Sequence, residues 1–180
     1  MLDFKQNYFE LFSIPTRFDV DQSGIEKSYQ SFQQELHPDR FANSTDVEKR
    51  LSVQATTHVN EAFNTLKHDL RRATYLLSLN GVDLNTETDT RFATDFLMEQ
   101  MELRESLESI ESQADPLAHG DTLNETIDSK ISDHKSAFKQ AFESDDTETA
   151  RDVVRRWLFL DKFKRELTEA MYRIEDELAG

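Results

Sequence analysis

A chain of 180 residues with 37% apolar residues can bury one large core or two small ones. The absence of cysteine excludes disulfides, a thiol nucleophile and Cys-ligated zinc or iron–sulfur clusters on this chain. A net charge of −15 with no Lys/Arg stripe argues against nucleic acid and is read as a solubility feature. Four Gly, three Pro and few β-branched alternations favour helices over sheets. Because no apolar run approaches a membrane span and Met1-Leu2-Asp3-Phe4-Lys5 has the form of neither a signal nor a transit peptide, a soluble cytoplasmic protein is expected.

In chain order, residues 7–12 predict a short apolar helix closed by Pro15. Asp21 is placed to cap a second helix whose Ile25, Tyr29, Phe32 and Leu36 recur at the period of one buried face. Pro38 disfavours a helical His37 and cannot donate a backbone N–H, so this helix should stop at the tip His37-Pro38-Asp39. Leu51, Ala55, Val59, Ala62, Phe63 and Leu66 then repeat the helical period, and the two helices should pair as an antiparallel hairpin with His37 and Asp39 exposed at its end. The pattern continues helically from Leu66 to Asn80-Gly81, with Gly81 suited to the left-handed closing position. These observations set a small N-terminal helical domain at 1–80 and a polar linker at 81–90.

Residues 91–180 predict an up-down-up three-helix bundle, making the chain all-α. Its helices are expected from about Arg91 to Gln113, then from a cap at Asp121 after the break Asp115-Pro116 with Gly120, and then from about Thr147 to Leu178. In the third, Val153, Leu160, Phe163, Leu167, Met171, Ile174 and Leu178 form one long stripe, and Trp157 at its margin reads as a packing residue. In the first, Phe92, Phe96, Leu103, Leu107 and Ile110 share a narrow arc, whereas Leu97, Met98 and Met101 fall on another face beside Glu102, Arg104 and Glu105. That second stripe is either a charge-rimmed partner site, for which methionine is well suited, or a packing face that docks on the N-terminal domain or widens the core.

A His-Pro-Asp tip on a helical hairpin, preceded by Tyr8-Phe9-Glu10-Leu11-Phe12 and Ile14-Pro15 and followed by Asn60-Glu61-Ala62-Phe63 and Leu66, resembles the J-domain family. Over nearly the whole chain, Tyr75-Leu76-Leu77-Ser78-Leu79, Phe96-Leu97-Met98-Glu99-Gln100-Met101-Glu102-Leu103-Arg104-Glu105 and Phe159-Leu160-Asp161-Lys162 resemble one branch of it, the HscB family of J-type co-chaperones in iron–sulfur cluster assembly. The resemblance implies an adaptor whose J-domain docks on a dedicated DnaK-type chaperone ATPase (HscA-like) and whose bundle holds the cluster scaffold protein (IscU-like). It places chaperone contact on His37, Pro38 and Asp39, with Lys27 and Arg40 as the nearby cations, and scaffold contact on Leu97, Met98, Met101, Glu102, Arg104, Glu105 and Phe159. It implies no enzymatic activity, cofactor, membrane or nucleic-acid partner. The resemblance also implies several Lys/Arg on the second helix, where this chain offers only Lys27, so docking should be weakly steered by charge.

Two alternatives stay open on the residues: a J-type adaptor for another client, and a small helical hydrolase using His37 and Asp39. For metal, His37, His58, His68, His119 and His134 lack the paired spacing of a helical binding site, so none is expected.

Overall fold

The computed structural model describes residues 3–42, 44–84 and 94–179. Phe92 and most of the expected linker, 85–90, lie outside the described residues. Seven α-helices and no strand occur among the described residues, in two compact units, Met1–Gly81 and Val82–Gly180. No described helix is long and apolar enough to cross a membrane.

In the N-terminal unit, α1 (Tyr8–Leu11) is held by a reciprocal cap: Asn7 Oδ1 accepts from the Glu10 amide at 3.0 Å, and Glu10 Oε2 accepts from the Asn7 amide at 2.8 Å. This short helix sends Phe9, Leu11 and Phe12 into the core. Asp21 caps α2 (Gln22–Glu35) by accepting from the Ser23 amide at 3.1 Å. The hairpin partner α3 (Asp46–Lys67) starts at a second reciprocal cap, Thr45 with Glu48. Across the hairpin, Tyr29 stacks on Phe63 with ring centroids 3.9 Å apart and donates its hydroxyl to Asn60 Oδ1 at 2.8 Å.

The helical run from Leu66 to Asn80 is broken, contrary to the expectation from sequence: His68 is extended (φ −94, ψ 123) and α4 (Asp69–Leu79) begins after it. The cause is tertiary. A break leaves carbonyls at the end of α3 without intrahelical partners, and buried Arg72 reaches back to donate to Leu66 O at 2.5 Å. The same guanidinium donates to Phe18 O at 2.7 Å and to Asp69 Oδ1, and lies 4.9 Å from the Phe18 ring centroid. At the end of α4, Gly81 takes the left-handed conformation (φ 75) expected of it.

In the C-terminal unit, α6 (Pro116–Glu143) and α7 (Thr147–Ala179) fold back on each other through a tight connection in which Asp145 is left-handed (φ 56). Leu103 and Ile110 from the preceding segment join Leu123, Ile127, Leu160, Phe163, Leu167 and Ile174 in the core. The helix α5 (Thr94–Glu108) gives way to a 3-10 turn at Ile110–Ser112 and so stops short of Gln113. Two further expectations are corrected. First, α6 is capped by Asp115, whose Oδ1 accepts from the Ala118 amide at 3.0 Å, not by Asp121. Pro116 occupies the first helical turn, where a missing N–H costs nothing, and Gly120 is a notch inside the helix: a Cβ there would stand 1.9 Å from Met171 Sδ. Second, Leu178 is 66% exposed. Since Met171 sits over Gly120, Leu178 lies past the start of α6 and has no helix to pack on. Trp157 is buried in the stripe of α7, as expected, together with Ala150, Val154 and Ala170.

Two candidate interaction surfaces

At the tip of the hairpin, the backbone is fixed by local chemistry. Leu36 closes α2 by donating its amide to Phe32 O at 2.9 Å. His37 is extended (φ −58, ψ 132), the state a following proline favours, and Pro38 opens a 3-10 turn at Pro38–Phe41. His37 Nδ1 accepts from the Asp39 amide at 3.3 Å and caps that turn. An accepting Nδ1 leaves the proton of the neutral ring on Nε2. The approach of Asp39 Oδ2 to the same Nδ1, 3.6 Å, is an ion pair only when the ring is protonated, so the neutral tip presents a free carboxylate. Both side chains face solvent, His37 59% and Asp39 91% exposed. Beside the tip a cleft of about 380 Å³ runs between α2 and α3, lined by Tyr29, Gln33, Leu36, His37, Pro38 and Asn60.

The surface of α2 leading to this tip is nearly free of net charge. Gln22, Ser23, Gln30, Ser31, Gln33 and Gln34 are exposed on it, and Glu26 is paired with Lys67 at 3.0 Å. Lys27, Glu35 and, past the tip, Arg40 are the other exposed charges here. The charge of the chain is unevenly divided. Residues 1–81 hold nine Lys/Arg against eleven Asp/Glu, whereas residues 82–180 hold twelve against twenty-five.

In the C-terminal unit, α5 buries Phe96 and Leu103 and leaves Leu97, Met98 and Met101 45%, 56% and 70% exposed. Glu102, Arg104 and Glu105 are exposed with them. Of the two readings left open for this stripe, widening the core of the bundle is set aside, because the stripe faces solvent. Phe159, on α7, is brought beside α5: its ring meets Phe96 edge-on at 5.7 Å, and the Arg104 guanidinium carbon lies 6.0 Å from its centroid. All seven positions that the sequence picks out in this unit are thus solvent-facing or half-buried, and Phe159 and Arg104 are neighbours although 55 residues apart.

Sequence reasoning missed the charges that fasten α5. Glu99 accepts from Lys130 of α6 at 2.6 Å. Arg156 of α7 pairs with Asp95 at 3.5 Å and with Asp152 at 2.9 Å, and its guanidinium carbon stands 4.9 Å from the Phe96 centroid. Burial opposes the charge on Arg156, but Asp152 and Asp95 outweigh it and hold the pKa above its ordinary value. His134, next along, has its pKa lowered, first by burial and then, against the pull of Glu99, by Arg156 and Lys130. Only the Asp152/Arg156 spacing could have been read from sequence, as an i,i+4 pair. Among the described residues no cluster of three His, Asp or Glu could hold a metal ion, and the polar contacts of the His37 side chain run to Asp39 on an open tip.

The family model "HSCB C-terminal oligomerisation domain" matches residues 93–168. A co-chaperone protein HscB homolog from Shewanella baltica is 42% identical over 175 residues, 96% of this chain and 98% of that one. Among solved structures, chaperone HscB from Vibrio cholerae superposes with a TM-score of 0.83 at 36% identity, over 96% of this chain and 99% of its own. Human co-chaperone protein HscB gives a TM-score of 0.85 at 30% identity, over 92% of this chain and 82% of its own. With a J-domain followed by a helical bundle, and with full-length relatives at this level of identity, the chain belongs to the HscB family of co-chaperones.

Proposed function

We propose that this co-chaperone binds an iron–sulfur cluster scaffold protein of the IscU type through Leu97, Met98, Met101, Glu102, Arg104, Glu105 and Phe159. It delivers that scaffold to an HscA-like DnaK-type chaperone through His37, Pro38 and Asp39, flanked by Lys27 and Arg40, and stimulates the chaperone's ATPase. In this reading residues 1–80 are the J-domain, 81–90 the linker and 91–180 the scaffold-binding domain. The chain itself performs no covalent chemistry. Its tip favours the chaperone state in which ATP is hydrolysed, and differential affinity for that state is what accelerates hydrolysis. The tip is locally capped and proline-restricted, so fixing it on docking costs little entropy, and the free Asp39 carboxylate can accept charge-assisted hydrogen bonds from a cationic partner surface.

The observation that carries the reading is the exposed Leu97/Met98/Met101 face, flanked by Arg104 and Phe159, on a bundle whose core is filled without it. The test is the steady-state ATPase rate of the cognate DnaK-type chaperone with scaffold present. Wild-type chain should stimulate, His37→Gln should not, and Leu97→Ala/Met101→Ala should stimulate only at higher scaffold concentration. Stimulation indifferent to the face variants would remove the scaffold assignment, and no stimulation at all would remove the J-domain assignment as well.

A further inference from the structure

The α5 helix is sparsely seated. Phe96 and Leu103 are its fully buried side chains, and on its α6 side lies an open cleft of about 320 Å³ lined by Glu99, Leu103, Ser106, His119, Thr126 and Lys130. Across this gap Lys130 of α6 donates to Glu99 of α5. On the α7 side the fastening is Arg156, paired with Asp95 and stacked on Phe96. From there a ladder of rings and cations runs Arg156, Phe96, Phe159, Arg104, with successive separations of 4.9, 5.7 and 6.0 Å. Both fastenings therefore grip the first two turns of α5, at Asp95, Phe96 and Glu99. These are the turns that carry Leu97, Met98 and Met101.

We propose that Lys130 and Arg156 are positioning residues for the client face: they lie outside it and act through Glu99, Asp95 and Phe96 to hold α5 in its binding orientation. The inference rests on the scaffold-binding reading above. A helix that rocks over a cleft loses affinity because the partner must order it on docking, and half-buried ion pairs hold better than fully exposed ones. Lys130 is 38% and Arg156 19% exposed. Arg156 also supplies a cation–π contact, so it should matter more.

Calorimetric titration of the full chain with an IscU-type scaffold tests this, alongside amide hydrogen exchange of residues 95–101 in the free chain. Lys130→Met should weaken scaffold binding about fivefold, a change of about 1 kcal/mol, and Arg156→Met by about tenfold. Both should speed exchange in 95–101. The charge swap Glu99→Lys/Lys130→Glu should bring affinity and exchange back to within about twofold of wild type. Unchanged affinity or unchanged exchange in Lys130→Met would overturn the proposal. So would a swap that fails to restore binding, because Glu99 or Lys130 would then be touching the scaffold itself. Leu97→Ala/Met101→Ala is the control: if it too leaves affinity unchanged, the face reading has failed, whereas a loss there with none in Lys130→Met and Arg156→Met removes the positioning role alone.

Discussion

Replacing Leu97 and Met101 together by Ala removes most of the apolar surface that the α5 face can offer a partner. Burying a Leu or Met side chain completely is worth about 2 kcal/mol. Leu97 and Met101 are 45% and 70% exposed, so only those fractions remain to be covered on binding, which gives about 2 kcal/mol for the pair and a rise of about thirtyfold in the scaffold Kd. By the same rule the parts already covered, just over half of Leu97 and about a third of Met101, are worth about 2 kcal/mol, and Ala, a better helix former than either residue, offsets part of that, so the bundle should lose about 1–2 kcal/mol of stability. Isothermal titration with an IscU-type scaffold reads the first quantity and urea unfolding reads the second. An affinity within about twofold of wild type would refute the assignment of this face. A stability loss well above about 2 kcal/mol would refute the premise that the face lies outside the core.

Arg72→Met should destabilise the N-terminal unit by about 3 kcal/mol, because it strands the carbonyls of Phe18 and Leu66 and the Asp69 carboxylate; chemical denaturation followed by Tyr fluorescence measures it, and a loss under about 1 kcal/mol would contradict the role given to this side chain. Gly120→Ala should destabilise by about 1 kcal/mol, the clash with Met171 outweighing the gain in helix propensity, and should become neutral or stabilising in a Met171→Ala background. Docking of the chaperone should respond weakly to salt, since α2 presents mainly Gln and Ser; a steep fall in affinity between low and moderate ionic strength would count against this. His134 has its pKa lowered in the folded chain, so the unfolded chain takes up this proton first on acidification. Its share of stability is complete above the ordinary imidazole pKa of about 6.5 and is lost as pH falls through and below that value. His134→Gln should flatten the fall in bundle stability between about pH 7.5 and pH 5, each about one unit or more from that midpoint.

What could be read from sequence was whatever depends on local periodicity and local backbone chemistry. The hairpin, the Asp21 cap, the exposed His37-Pro38-Asp39 tip and left-handed Gly81 all follow from residues within a few positions of one another. The α5 wheel likewise separated Leu97, Met98 and Met101 from the buried Phe96 and Leu103. Two of the departures from the structure involve a residue distant in sequence, and one does not. Gly120 looks like a helix break until Met171, 51 positions away, is placed against it. His68 looks helical until Arg72 draws on Leu66 and Phe18. Pro116 reads as part of a break, although the residue just before it is a good cap and a first-turn proline is compatible with a helix. The fastening of α5 by Lys130 and Arg156 depends on three helices meeting and leaves no signature in any one of them.

In the proposed function the two surfaces solve different physical problems, and their chemistry differs accordingly. A tip that must select one state of a chaperone gains from rigidity, because discrimination between states comes from differential fit. His37-Pro38-Asp39 is made rigid by its own proline and its own cap, with little help from charge nearby. A face that must grip a protein client and later release it gains from adaptable side chains on a well-held support. Methionine supplies the first property and the ion pairs beneath α5 the second. The distribution of charge fits the same division: the unit bearing the tip is close to neutral, while the unit bearing the proposed client face has more than twice as many acidic as basic residues. Long-range electrostatics should therefore act on the client more than on the chaperone. Raising ionic strength should change the association rate of the scaffold with this chain, slowing it for a basic scaffold and speeding it for an acidic one, while leaving chaperone docking nearly unchanged, and that asymmetry separates the two contacts without altering a residue.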